Sequence, residues 1–258
     1  MRKNTLDKVI EIIVMAVAVL AVACIVSMIM LAFRGFNEKL FIDNDKSDNT
    51  STSSEVRLQK TPDFGEAYIK QIVFLGDHTI SGMASISEDL EIWSGEDKTL
   101  PLDYSINTAT IVYPDTNESL SIASAIKRKN PDYIIITLGI DNGVAYCSEK
   151  KFKEYYTKLI LEISEASPNT KIMLQSIFPV SDEKQKAQSS ISNRKIDAAN
   201  TWIEELCEEL SLRYLNTACI LMVDKGNLSE RFDSSDGINL NSQAYAEILY
   251  YIRTHGYN

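Results

Sequence analysis

Three runs of apolar residues, QIVFLG (71–76), YIIITLG (133–139) and KIMLQSIFP (171–179), leave this chain few architectures. Each is short and bounded by turn residues, the pattern of strands covered on both faces. Between and after them lie amphipathic stretches. FKEYYTKLILEI sets Phe152, Tyr155, Tyr156, Leu159, Ile160 and Ile163 on one helical stripe, and ISNRKIDAANTWIEELCEEL and NSQAYAEILYYI have the same character. Strands alternating with helices predict an α/β domain, a three-layer α/β/α sandwich with a mostly parallel sheet. EIWS, LDYS and TATIVY, between 91 and 113, are expected as short extra strands.

The N-terminal region obeys a different rule. From Ile12 to Phe33 the only clearly polar side chain is Ser27, so residues 9–33 are expected to form one transmembrane helix before the domain. The run continues to Arg34 without a small-residue cleavage site, unlike a signal peptide. Arg2, Lys3 and Lys8 precede it, which predicts a cytoplasmic N-terminus (1–8) and an extracytoplasmic C-terminal domain in the cell membrane. Residues 34–68, rich in Asp, Asn, Ser and Thr, read as a flexible tether, and the domain is expected over 69–258. The formal net charge of -10 argues against a nucleic-acid partner, which requires clustered Lys and Arg. Of the cysteines, Cys24 falls in the apolar run; Cys207 and Cys219 read as buried small hydrophobes, and Cys147 as a thiol in a loop. No spacing demands a disulfide framework, a metal or a cofactor, and none is expected.

Ligands of open parallel sheets bind at the carboxyl ends of the strands. Those ends carry GDHT, GIDNG and FPVS, and SSDGINLNSQAY precedes the last helix. In this order, over roughly residues 70–255, these stretches resemble the SGNH or GDSL hydrolases, a family of esterases, lipases and carbohydrate deacetylases. VFLGDHT resembles the block that presents the nucleophilic serine. ITLGIDNG resembles the block whose Asn helps to bind the oxyanion. SDGINLNSQAY resembles the Asp-x-x-His block that carries the rest of the triad, and SPNTKIMLQSIFPV the strand and proline between them. The resemblance implies a pocket formed by Asp77, Gly139, Asp141 and Asn142, and triad positions at His78, Asp236 and Asn239.

Two of those triad positions lack the residue the chemistry needs. His78 stands where the serine belongs and Asn239 where the histidine belongs, while Asp141 holds the place of the oxyanion-binding Asn, with Asn142 next to it. A serine needs a base to take its proton, and an amide accepts none near neutral pH. A carboxylate at 141 repels a developing oxyanion. These departures predict an impaired esterase acting as a binding or scaffolding module for an acylated carbohydrate or lipid. The alternative is an active esterase or deacetylase with a rearranged site, using His78, Ser81 or Asp236; a third is a purely structural role in a membrane assembly. The plain reading of His78 is a ring paired with a nearby carboxylate, Asp236 first. Thr79 and Ser81 are expected to cap a helix, and His255 to lie on a fraying terminus. Trp93 is a candidate for a carbohydrate surface and Trp202 for the core, while Asn193 and Asn200 are open between helix caps and pocket rim.

Overall fold

The structure is a computed structural model that describes residues 55–223 and 226–257. The expected transmembrane segment and most of the tether lie outside these residues. Among the described residues no helix is long and apolar enough to cross a membrane.

The elements run α1 (Glu66–Ile69), β1 (Ile72–Gly76), α2 (His78–Ser81), β2 (Glu91–Trp93), β3 (Thr110–Tyr113), β4 (Glu118–Ser121), α3 (Ile122–Lys129), β5 (Tyr133–Thr137), α4 (Gly143–Tyr146), α5 (Glu149–Ala166), β6 (Lys171–Gln175), α6 (Asp182–Ala187), α7 (Asn193–Leu210), β7 (Arg213–Leu215), α8 (Ala218–Leu221) and α9 (Ser242–Arg253). Five strands form a parallel sheet in the order β2-β1-β5-β6-β7, and β3 pairs with β4 in a separate antiparallel hairpin. Successive side chains of a strand point to opposite faces. Accordingly Val73, Leu75, Ile134 and Ile136 pack with α3, α5 and α7, whereas Ile72, Phe74, Ile135 and Met173 pack with α1, α8 and α9. That is the expected three-layer α/β arrangement. It aligns the carboxyl ends of β1 and β5, because Gly76 pairs with Thr137.

Three expectations differ. Residues 55–68, assigned to the tether, are packed on the domain: Leu58 N and Tyr214 N bond to Tyr214 O and Val56 O, and Arg57 forms an ion pair with Glu204. Polar sequence did not announce these contacts because their partners are far away in the chain. LDYS is not a strand, since the Asp103 carboxylate accepts from Ser105 N (2.8 Å) and Ser105 Oγ (2.6 Å) and folds the backbone into a turn. Cys219 is exposed, not buried, because its ACIL segment forms the short helix α8.

Candidate functional site

Asp77 follows β1 and caps α2. Its Oδ1 accepts from Thr79 N (3.2 Å) and Thr79 Oγ1 (2.7 Å), so Asp77, not Thr79 or Ser81, is the cap. Its Oδ2 accepts from Gly139 N and Ile140 N, each at 3.2 Å, which ties the turn after β1 to the turn after β5. Asp77 is buried, and burial followed by the charge of Asp141 pushes its carboxyl up to about 6.

His78 opens α2 with its ring half-buried. Its Nδ1 lies 2.8 Å from Asp141 Oδ1, and no protein group bonds Nε2 among the described residues. The partner is thus Asp141 rather than Asp236, which acts on His78 through charge alone. The hydrogen bond to Asp141 raises the imidazole above its ordinary pKa, against the opposing effect of burial. Asp141 Oδ2 also accepts from Leu100 N (3.3 Å).

The turn from Gly139 to Asn142 explains this choice. Gly139 has φ +132°, and a Cβ there would lie 2.6 Å from Ile177 Cδ1 and 3.2 Å from Phe152 Cε2. Asn142 adopts φ 67° and commits its amide nitrogen to Asp103 Oδ2 at 2.7 Å. The carboxylate of Asp141 is therefore turned to His78 while the neighbouring amide is occupied. Gly139→Ala is expected to lower stability by about 2 kcal/mol or more, through steric overlap and a strained φ, as a lower denaturant midpoint.

The third element is the loop before α9. Asp236 Oδ1 accepts from Asn239 N (2.7 Å) and Ile238 N (3.0 Å), and Asn239 Nδ2 donates to Asp236 Oδ2 at 2.6 Å. Burial opposes ionisation, yet these bonds hold the Asp236 carboxyl below its ordinary value. The loop is fixed where Asn241 caps α9 through Ala244 N and donates to Arg231 O.

His78, Asp141, Asn142, Asp236 and Asn239 converge on one cleft of about 580 Å³. Asp77 and Gly139 lie beneath it as buried supports. Other candidates fall elsewhere or are already engaged. Ser81 Oγ donates to the His78 carbonyl (2.8 Å) rather than to its ring, and Thr79 Oγ1 is taken by Asp77. Cys147 Sγ donates to Leu102 O (3.5 Å) and burial pushes its thiol up, opposite to what an activated nucleophile requires. His255 is stacked on Tyr251 at 3.7 Å and bonded to Tyr251 O, so it is not on a frayed end. Trp93 is fully buried, and Trp202 packs edge-on against Phe152, so neither forms a ligand surface. Asn193 and Asn200 each bond both backbone groups of one residue, Val180 and Ile177 respectively, and brace the segment after β6. Lys184, Tyr146 and Pro101 also line the cleft, and Asp103 orients Asn142; the sequence reading named none of them.

The GDSL-like lipase/acylhydrolase family matches residues 95–247, more than half of the chain. No curated protein matches the sequence. Among solved structures, a protein from Streptococcus pneumonia described as a platelet activating factor is 18% identical. The match covers 71% of this chain and 82% of that one, with a TM-score of 0.51, and shows a shared fold. A GDSL-like lipase from Bacteroides thetaiotaomicron is 15% identical over 72% and 87% of the two chains, TM-score 0.45. A carbohydrate esterase family 3 protein from Talaromyces cellulolyticus is 17% identical over 70% and 93%, TM-score 0.46.

Proposed function

Because this chain belongs to the GDSL-like lipase/acylhydrolase family, we propose that it is a membrane-anchored, extracytoplasmic member that keeps a ligand cleft without serine-based ester hydrolysis. The His78–Asp141 pair carries this reading. Where the family resemblance calls for a hydroxyl nucleophile, the cleft has an imidazole held by a carboxylate, and where it calls for the base it has an amide held by Asp236. An acyl group placed on His78 has no positioned base to release it, and the ionised form of Asp141 opposes the negative charge that develops on the ester oxygen. The cleft serves instead as a binding or scaffolding module for an acylated surface carbohydrate or lipid.

Anchoring rests on the apolar run from Ile12 to Phe33, and orientation on Arg2, Lys3 and Lys8 before it. A membrane-impermeant maleimide is expected to label Cys219 on intact cells; labelling only after permeabilisation would place the domain inside. For the cleft, acetylated xylotetraose is the test ligand, added to the purified full-length chain in detergent. At one hundred times its dissociation constant it is expected to raise unfolding stability by about 2.7 kcal/mol without releasing acetate. Steady release of acetate would contradict the loss of hydrolysis, and an unchanged unfolding curve would contradict the binding role.

A further inference from the structure

Both carboxylates at the mouth of the cleft have partners. Asp141 holds His78 and Leu100 N; Asp236 is filled by two backbone amides and the Asn239 side chain. Lys184, half-buried on α6 and lining the same cleft, is different. Among the described residues its ammonium has no hydrogen bond and no ion pair, although its charge is felt at Asp236. Its neighbour Lys186 is committed to Asp182.

The backbone of Lys184 is fixed in place. Ser181 N donates to Gly237 O at 2.8 Å, and Ser181 Oγ accepts from Lys184 N at 3.1 Å. A Cβ on Gly237 would lie 2.9 Å from Lys184 Cβ, so the first turn of α6 sits directly against the loop that carries Asp236 and Asn239. The same cleft is lined by Tyr146 at the end of α4, which is 76% exposed and whose N donates to Asn142 O at 3.0 Å. An exposed ring of this kind offers a flat apolar face with a polar edge.

On the reading that the cleft takes a saccharide, we propose that its ligand is an acidic one, with the apolar face of a sugar ring on Tyr146 and a carboxylate or phosphate on Lys184. The two aspartates make the position of the anion selective, since a negative group placed away from Lys184 meets their charge. Hydrogen bonds to charged groups are the stronger ones, and losing this one corresponds to roughly a tenfold change in affinity.

The test titrates the full-length chain in detergent with tetragalacturonate, with its fully methyl-esterified form, and with maltotetraose carrying a 6-phosphate. At least one acid is expected to bind roughly tenfold more tightly than the neutral ester, and the stronger of the two acids identifies the anion. Lys184→Gln is expected to remove that preference and leave the ester unchanged, while Lys184→Arg keeps it. Tyr146→Ala is expected to weaken all binding and Tyr146→Phe to preserve it. Equal affinity for acid and ester, or an equal loss of both in Lys184→Gln, would overturn the acidic ligand and leave the saccharide reading standing. If none of the three binds, the acidic ligand falls, and the saccharide reading is decided by acetylated xylotetraose.

Discussion

A chain carrying His78→Ser, Asn239→His and Asp141→Asn together is expected to hydrolyse short-chain aryl esters and to react with a fluorophosphonate, and the wild type is expected to do neither. Residues 78, 236 and 239 line the same cleft. Residue 78 opens α2 at the carboxyl end of β1, with its turn locked by four hydrogen bonds to Asp77. Asp236 receives the side chain of residue 239 at 2.6 Å, the contact by which it would orient a histidine ring. Asn at 141 exchanges a repelling carboxylate for a donor to the oxyanion. An intact triad exceeds one lacking its nucleophile or base by on the order of a millionfold, so even partial recovery gives a gain of about a thousandfold in turnover. His78→Ser alone is expected to stay silent, because Asn239 cannot take the proton. Activity in that single variant equal to the triple would show that a base exists elsewhere.

The second large effect concerns stability. Asp77→Ala leaves the N–H groups of Thr79, Gly139 and Ile140 without their acceptor and is expected to cost about 3 kcal/mol or more. Asp77→Asn keeps one acceptor but offers an amide nitrogen to donors, at a cost of about 1–3 kcal/mol near pH 4. Its dependence on pH has a defined sign. The folded value of about 6 lies above the ordinary 3.8, so protonation of Asp77 favours the folded chain. That contribution is complete below the unfolded value and is lost as pH rises through about 6, an effect of about 3 kcal/mol at neutral pH. The deficit of Asp77→Asn relative to wild type is therefore expected to shrink between pH 4 and pH 7 in denaturant titrations. A deficit that grows over this range would mean that the charged carboxylate stabilises the fold.

The central strands were legible in the sequence because burial on both faces leaves continuous apolar runs, as in β1, β5 and β6. β7 was not, since three residues led by Arg213 carry no periodicity. Docking of residues 55–58 depends on Tyr214 and Glu204, contacts that a local pattern cannot reveal. At the site, the short stretches pointed to His78, Asp141, Asp236 and Asn239, and these four residues line one cleft. They did not identify the partner of His78, because that depends on the backbone angles at Gly139 and Asn142, which turn the Asp141 carboxylate inward. Lys184 and Tyr146 gave no signal of their own. They matter through the loops that bring α4 and α6 to the cleft, and those loops are set by Gly237, Ser181 and the Asp77 bonds.

The most direct measurement compares hydrolysis of p-nitrophenyl acetate by the purified full-length chain as wild type and as His78→Ala. Equal rates, both at the buffer background, are the result predicted for a cleft without serine-based ester hydrolysis. Turnover by the wild type that disappears in His78→Ala would contradict it and make the His78–Asp141 pair the working base of an active esterase.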